Sequence, residues 1–114
     1  MKVLKFGGTS VANSENISKT IAIVTNKSKE DKLAVVVSAF SGITDMLLLA
    51  GKTASAKDKN YKDIVSQIEK KHKDAIDELI PLSEQNEIIE TINSHINHLK
   101  TLLDGCYLLG ELSN

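Results

Sequence analysis

Val3-Leu4-Lys5-Phe6-Gly7-Gly8-Thr9-Ser10 and Leu33-Ala34-Val35-Val36-Val37-Ser38 are the stretches that decide the fold. Each is a short apolar run that stops at small residues, as a strand entering a turn does. The second run is continuous and rich in valine, a composition that suits a strand covered on both faces in a parallel sheet. Between the two, Ile17, Ile21 and Val24 recur at helical spacing. Asn13 or Ser14 is the candidate cap, and lysines near residues 27–29 suit the negative end of the helix dipole. Ser41-Gly42 then precedes a further helical run through Met46, Leu47 and Ala50. Strand, helix, strand, helix predicts an α/β fold with parallel strands and a right-handed crossover. Gly7-Gly8 and Ser38 then share the carboxyl end of the sheet, where open α/β sheets bind their ligands.

The chain changes character after residue 56. Residues 1–56 form the strand-bearing portion, and Lys57-Asp58-Lys59-Asn60 reads as a hinge before a helical portion, 57–114. There Tyr61, Ile64, Ile68, Ala75, Ile76 and Leu79 mark a helix that Pro81 closes. A second helix is expected with Ser83 as its cap, carrying Ile88, Ile92, Ile96, Leu99, Leu102 and Leu103; Gly105 either ends it or lies within it. The short Pro81-Leu82-Ser83 link predicts an antiparallel pair. Two strands alone make a poor sheet, so the chain reads as stopping short of a finished domain.

Composition excludes several function classes. A formal net charge of −1 and 4% aromatic residues with no Trp give no case for nucleic acid or an anionic membrane as partner. No apolar run approaches the ~20 residues that span a bilayer, and none resembles a signal peptide, so the expected setting is the cytoplasm. One cysteine, Cys106, excludes an internal disulfide and any multi-cysteine metal site. Cys106 reads as a small, at least half-buried apolar residue. His72, His95 and His98 read as surface polar residues. His95 and His98 share a helix face, but no Cys or carboxylate cluster completes a metal site.

Chemistry concentrates in the two turns. Glycines after a strand let a ligand approach the backbone, and peptide N–H groups there suit phosphate oxygens. Lys5 at the strand end can neutralise charge on a transferred phosphoryl group, and Thr9 and Ser10 add hydroxyls. The spacing is neither a Walker A loop nor a G-x-G-x-x-G fingerprint. The ordinary alternative is a tight Gly-Gly turn, a capping serine and a solvated lysine. In the second turn Ser38 lies next door, and Thr44 opens a helix whose free N–H groups can hold a carboxylate. The ordinary alternative there is that Ser41, Thr44 and Asp45 are common residues of a helical first turn.

Lys5-Phe6-Gly7-Gly8-Thr9-Ser10-Val11 at the N-terminus, with Val37-Ser38-Ala39-Phe40-Ser41-Gly42-Ile43-Thr44 after the second strand, closely resembles the aspartokinase family. The motifs carry the resemblance over residues 2 to about 50. The helical half fits that family's variable helical insertion by length and pattern. The N-terminus looks most like the bifunctional aspartokinase–homoserine dehydrogenases.

The resemblance implies an amino-acid-kinase parallel sheet and phosphoryl transfer from MgATP to the side-chain carboxylate of aspartate, the first step of a route to threonine and lysine. It implies that Lys5 contacts the ATP phosphates and is catalytic, that Gly7 and Gly8 cradle phosphate with Thr9 and Ser10 nearby, and that Ser38 and Thr44 help hold aspartate. Phe40 replaces the smaller residue often found in the serine loop. Gly110-Glu111-Leu112-Ser113 imitates the family's Gly-Glu-x-x-Ser substrate motif with one residue too few, so Glu111 is read as a helix-end residue. The family's arginine and its magnesium and adenine contacts are expected beyond Asn114; the 114 residues alone are expected to be catalytically inactive and to form a homo-oligomer. A kinase of glutamate or acetylglutamate, and a non-catalytic helical interaction module, are the rival readings.

Overall fold

The computed structural model describes residues 1–112. Strand β1, Lys2–Phe6, and strand β2, Leu33–Val37, form a two-stranded parallel sheet in the register Lys2↔Leu33 to Phe6↔Val37. Between them lie a single 3-10 turn, Gly8–Val11, and helix α1, Ser14–Ser28. Asn13 caps α1, its Oδ1 accepting from the Asn16 amide at 2.9 Å. That bond satisfies one of the amides a helix start leaves without a partner.

Two compact units are distinguishable, Met1–Thr44 and the chain from Asp45 onward. In the first, α1 meets β2 across an apolar groove lined by Ile17, Ile21, Val24, Val35 and Val37. Because strand side chains alternate between faces, Leu4 and Phe6, paired with Val35 and Val37, belong to this same face. Both are half-buried, whereas Lys5 and Val3 on the opposite face are exposed. Val35, Val36 and Val37 keep 43%, 48% and 57% of their surface, so the two-sided burial expected of this strand is absent. The reason is geometric: within residues 1–112 the sheet has two strands, and α1 half-covers one face.

The second unit is helical. Helix α2, Ile43–Ser55, is followed by a turn in which Lys57 has φ of +64°. Helices α3, Tyr61–Leu79, and α4, Asn86–Leu112, pack against each other. Tyr61 bonds Asp104 and Glu69 faces Lys100, so one index falls as the other rises and the pair is antiparallel. Tyr61, Val65, Ile68 and Ile76 of α3 and Ile96 and Leu103 of α4 are buried. Ser83 is not the cap of α4. Residues Leu82–Glu84 instead wind into a 3-10 turn, Glu84 N donating to Pro81 O at 2.8 Å. The extended Pro81 (ψ 143°) starts that turn, and α4 begins only after Gln85, whose carbonyl accepts from Ile89 N at 2.9 Å. The buried Gln85 side chain donates to Ile80 O at 2.8 Å, which satisfies a carbonyl left at the end of α3. Gly105 lies within α4. No helix among the described residues is long and apolar enough to cross a membrane.

Candidate functional site

The parallel pairing brings the two motif turns side by side. Beyond the last strand pair, Ser38 N donates to Phe6 O at 3.2 Å, so the serine stands where β1 gives way to Gly7. A Cβ placed on Gly8 would lie 4.0 Å from the Ser38 hydroxyl oxygen. Gly7, Gly8 and Ser38 thus occupy one end of the sheet, the end predicted from the strand–helix–strand order. Their side-chain positions are all exposed.

Neither Gly7 nor Gly8 is explained by its own backbone or packing. Gly7 has φ of −77° and Gly8 is not among the positive-φ glycines, so both hold conformations open to any residue. A Cβ on Gly7 would meet nothing within 4 Å, and one on Gly8 would meet only ordinary contact. The tight turn that would require glycine is therefore not present. What the two glycines do leave is open space over a stretch of backbone. Among the described residues no acceptor takes the amides of Gly7 and Gly8.

The loop is nevertheless held firmly. Ser10 N donates to Gly7 O at 3.1 Å and Ala12 N to Thr9 O at 3.3 Å. Two side chains of α1 reach back to it: Asn16 Nδ2 donates to Thr9 O at 2.8 Å and Thr20 Oγ1 to Ser10 O at 2.9 Å. Sequence reasoning passed over both residues. A signal for Thr20 existed, since it stands three positions after Ile17 and one before Ile21, a polar residue inside the apolar stripe. It is 8% exposed, and a buried hydroxyl needs a partner.

Lys5 extends from β1 opposite Val36, exposed, on the sheet face away from α1. It has no ion-pair partner among the described residues. Thr9 is exposed and Ser10 half-buried within the 3-10 turn. Thr44 is the second residue of α2, following Gly42, whose φ of +81° turns the chain into the helix. Thr44 is exposed and makes no hydrogen bond to Ser38, so the structure juxtaposes Ser38 with the glycines but joins Thr44 only through chain continuity and its shared unit.

Glu111 lies in the last turn of α4, exposed, where its carboxylate accepts from the Tyr107 hydroxyl and holds that phenol above its usual range. Ser113, which completes the imitation motif, lies outside the described residues. Cys106 is half-buried. His95 and His98 are exposed, and no group of three or more His, Cys, Asp or Glu among the described residues is placed to hold a metal ion.

Known proteins extend this picture. Residues 1–109 match the model of the amino acid kinase family. The chain is 38% identical over 109 residues to bifunctional aspartokinase/homoserine dehydrogenase 1 of Arabidopsis thaliana, covering 96% of this chain and 12% of that protein. It is 35% identical over 118 residues to an aspartokinase of Candida albicans, covering 97% of this chain and 21% of the relative. A bifunctional aspartokinase/homoserine dehydrogenase of Buchnera aphidicola is 31% identical over 114 residues, 97% of this chain and 14% of the relative. The chain therefore spans about an eighth to a fifth of the length of these relatives. A family match across nearly the whole chain, on a parallel sheet with both motif turns at one end, makes this chain a member of the amino acid kinase family.

Proposed function

We propose that the chain supplies the phosphate side, and part of the carboxylate side, of an aspartate kinase, which transfers the terminal phosphoryl group of ATP to the side-chain carboxylate of aspartate. The observation that carries this reading is the meeting of Gly7, Gly8 and Ser38 at one sheet end, where neither glycine has an internal reason to be glycine. The named activities of the relatives support it.

In this reading the open amides of Gly7 and Gly8 receive phosphate oxygens, because no Cβ or acceptor among the described residues stands over them. Thr9 and Ser10 line the same loop. Lys5, free of a carboxylate partner among the described residues, offers its ammonium to charge that builds on the transferring phosphoryl group. Ser38 and Thr44 hold the aspartate. The substrate carboxylate is already ionised at neutral pH, so the chemistry asks for alignment and charge neutralisation rather than a general base. Magnesium is implied by the family resemblance; no group of three or more His, Cys, Asp or Glu among the described residues is placed to hold it.

The test is hydroxamate trapping of the acyl phosphate formed by the polypeptide that carries this chain. Lys5→Ala is expected to lower kcat far more than it raises KM, by ~2–4 kcal/mol of transition-state stabilisation, the scale of one preorganised donor. Ser38→Ala and Thr44→Val are expected to act mainly on KM for aspartate. Full turnover by Lys5→Ala sinks the assignment.

A further inference from the structure

We infer that Asn16 and Thr20 are positioning residues of the Gly7–Ser10 loop, through which helix α1 sets the direction in which the Gly8 amide faces a nucleotide phosphate. The inference rests on the phosphate reading of the loop and adds to it the device that keeps the loop in shape.

The argument follows the peptide planes. A trans peptide holds its C=O and the following N–H in one plane and pointing opposite ways, so fixing one group fixes the other. Asn16 Nδ2 holds Thr9 O at 2.8 Å. The same peptide unit carries the Ser10 N–H, which donates to Gly7 O at 3.1 Å. That carbonyl belongs to the peptide unit whose N–H is on Gly8, so the Gly8 N–H is turned away from the helix-held side. Two peptide planes thus connect a side chain on α1 to an amide that no residue of the described chain occupies. Hydrogen bonds in series also polarise one another, so a Gly7 carbonyl that accepts makes the Gly8 N–H a better donor. Thr20 Oγ1, on a side chain 8% exposed, fixes the next carbonyl, Ser10 O, at 2.9 Å.

The helix end that bears these side chains is itself fixed. Asn13 accepts from Asn16 N with its side chain and from Ile17 N with its backbone, both at 2.9 Å. The first turn of α1 therefore presents Asn16 in one orientation. Glycine at positions 7 and 8 leaves the loop open to a ligand but deprives it of side-chain packing, and bonds from α1 supply the rigidity that those two positions lack. A preorganised loop loses less freedom when it binds.

The experiment uses the chain with isotope-labelled amides, titrated with ATP while the Gly8 amide resonance is followed, alongside hydrogen exchange of the Ser10 amide. Thr20→Val keeps the side-chain shape and removes the hydroxyl; Asn16→Ala removes the other donor. Each is expected to weaken the ATP response of Gly8 by about threefold to tenfold, the effect of one lost hydrogen bond, and to speed exchange at Ser10. The Ser38 amide, bonded to Phe6 O, should exchange as in the wild type and so reports that the sheet is intact. Thr20→Ser, which restores the hydroxyl, should restore both readouts. Wild-type exchange and affinity in Thr20→Val and Asn16→Ala overturn the inference. A wild-type Gly8 amide that ignores ATP, while Ser10 exchange still depends on the Thr20 hydroxyl, overturns the phosphate reading and leaves the clamp purely structural.

Discussion

In the helical unit, a Cβ on Gly110 would stand 2.6 Å from the Ser55 carbonyl oxygen; in the strand unit, a Cβ on Gly7 would meet no atom within 4 Å. The first glycine is demanded by the fold: α4 and the end of α2 approach so closely that a methyl group has no place. The second is demanded by nothing among the described residues. The same contrast runs through the rest of the two units. Side chains of α3 and α4 find partners across the helix pair, with Val65 almost fully buried. The strand unit exposes an open loop backbone and, from β1, a lysine without an ion-pair partner among the described residues. Where internal packing accounts for a residue, its substitution should be read in stability; where it does not, the reason lies in what the residue meets from outside.

The largest stability effect expected from this contrast is that of Gly110→Ala. The clash is with backbone, Ser55 O at 2.6 Å and Ser55 C at 3.3 Å, which cannot swing aside as the tip of a flexible side chain does. Overpacking of this kind costs ~1–3 kcal/mol, and the better helix propensity of alanine returns at most ~1 kcal/mol. Urea unfolding followed by circular dichroism should show a lower midpoint. An unchanged or raised midpoint would mean that α2 and α4 are not held at this separation in solution.

The second effect is smaller and depends on pH. Tyr61, 3% exposed, donates to Asp104 Oδ1 at 2.6 Å, and its ring lies 5.7 Å from that of Tyr107. The hydrogen bond to the carboxylate, then burial, then the negative charge of Asp104 push the Tyr61 phenol up to about 12. The folded state thus holds this proton more tightly than the unfolded chain, where the phenol titrates near 10. The resulting stability is complete below pH ~10 and disappears as pH rises through about 12. Tyr61→Phe should cost ~1 kcal/mol at neutral pH, because water can take the place of the hydroxyl on the exposed Asp104. It should also flatten the loss of stability between pH 10 and 12. Parallel alkaline profiles for wild type and Tyr61→Phe would count against the bond.

How much of this could be read in the sequence depends on the range of the interaction. Strand β2 falls on the valine run, Asn13 caps α1, and α3 ends ahead of Pro81, all as local pattern dictates. The adjacency of Gly8 and Ser38 was legible one level higher, because a parallel strand–helix–strand unit has no other way to place its two turns. Ser83 misled because a serine before an apolar period looks like a cap, whereas Pro81 set up a 3-10 turn and Gln85 took the buried position. The reach of Asn16 and Thr20 to carbonyls seven and ten residues earlier was invisible for a related reason. It depends on the winding of Gly8–Val11 as a 3-10 turn, which no periodicity in four residues announces.

The smallest stability effect, and the one that tests the contrast most directly, is expected for Gly7→Ala. Gly7 holds φ of −77° and ψ of −178°, a conformation alanine adopts without strain, and its added methyl group meets nothing within 4 Å. Alanine also restricts the unfolded chain, so the variant should be unchanged or more stable by up to ~1 kcal/mol. Binding should move the other way. A methyl group over the open backbone occupies the space through which a phosphate would reach the Gly8 amide, and a lost or lengthened bond to a charged group is worth ~1.5–3 kcal/mol. Calorimetric titration with ATP, run beside the same urea series used for Gly110→Ala, gives both numbers on one protein. Stability kept with affinity lost means that the glycine answers to a ligand. Stability lost with affinity kept would place Gly7 with Gly110, as a residue the fold itself requires, and would remove the observation on which the phosphate reading stands.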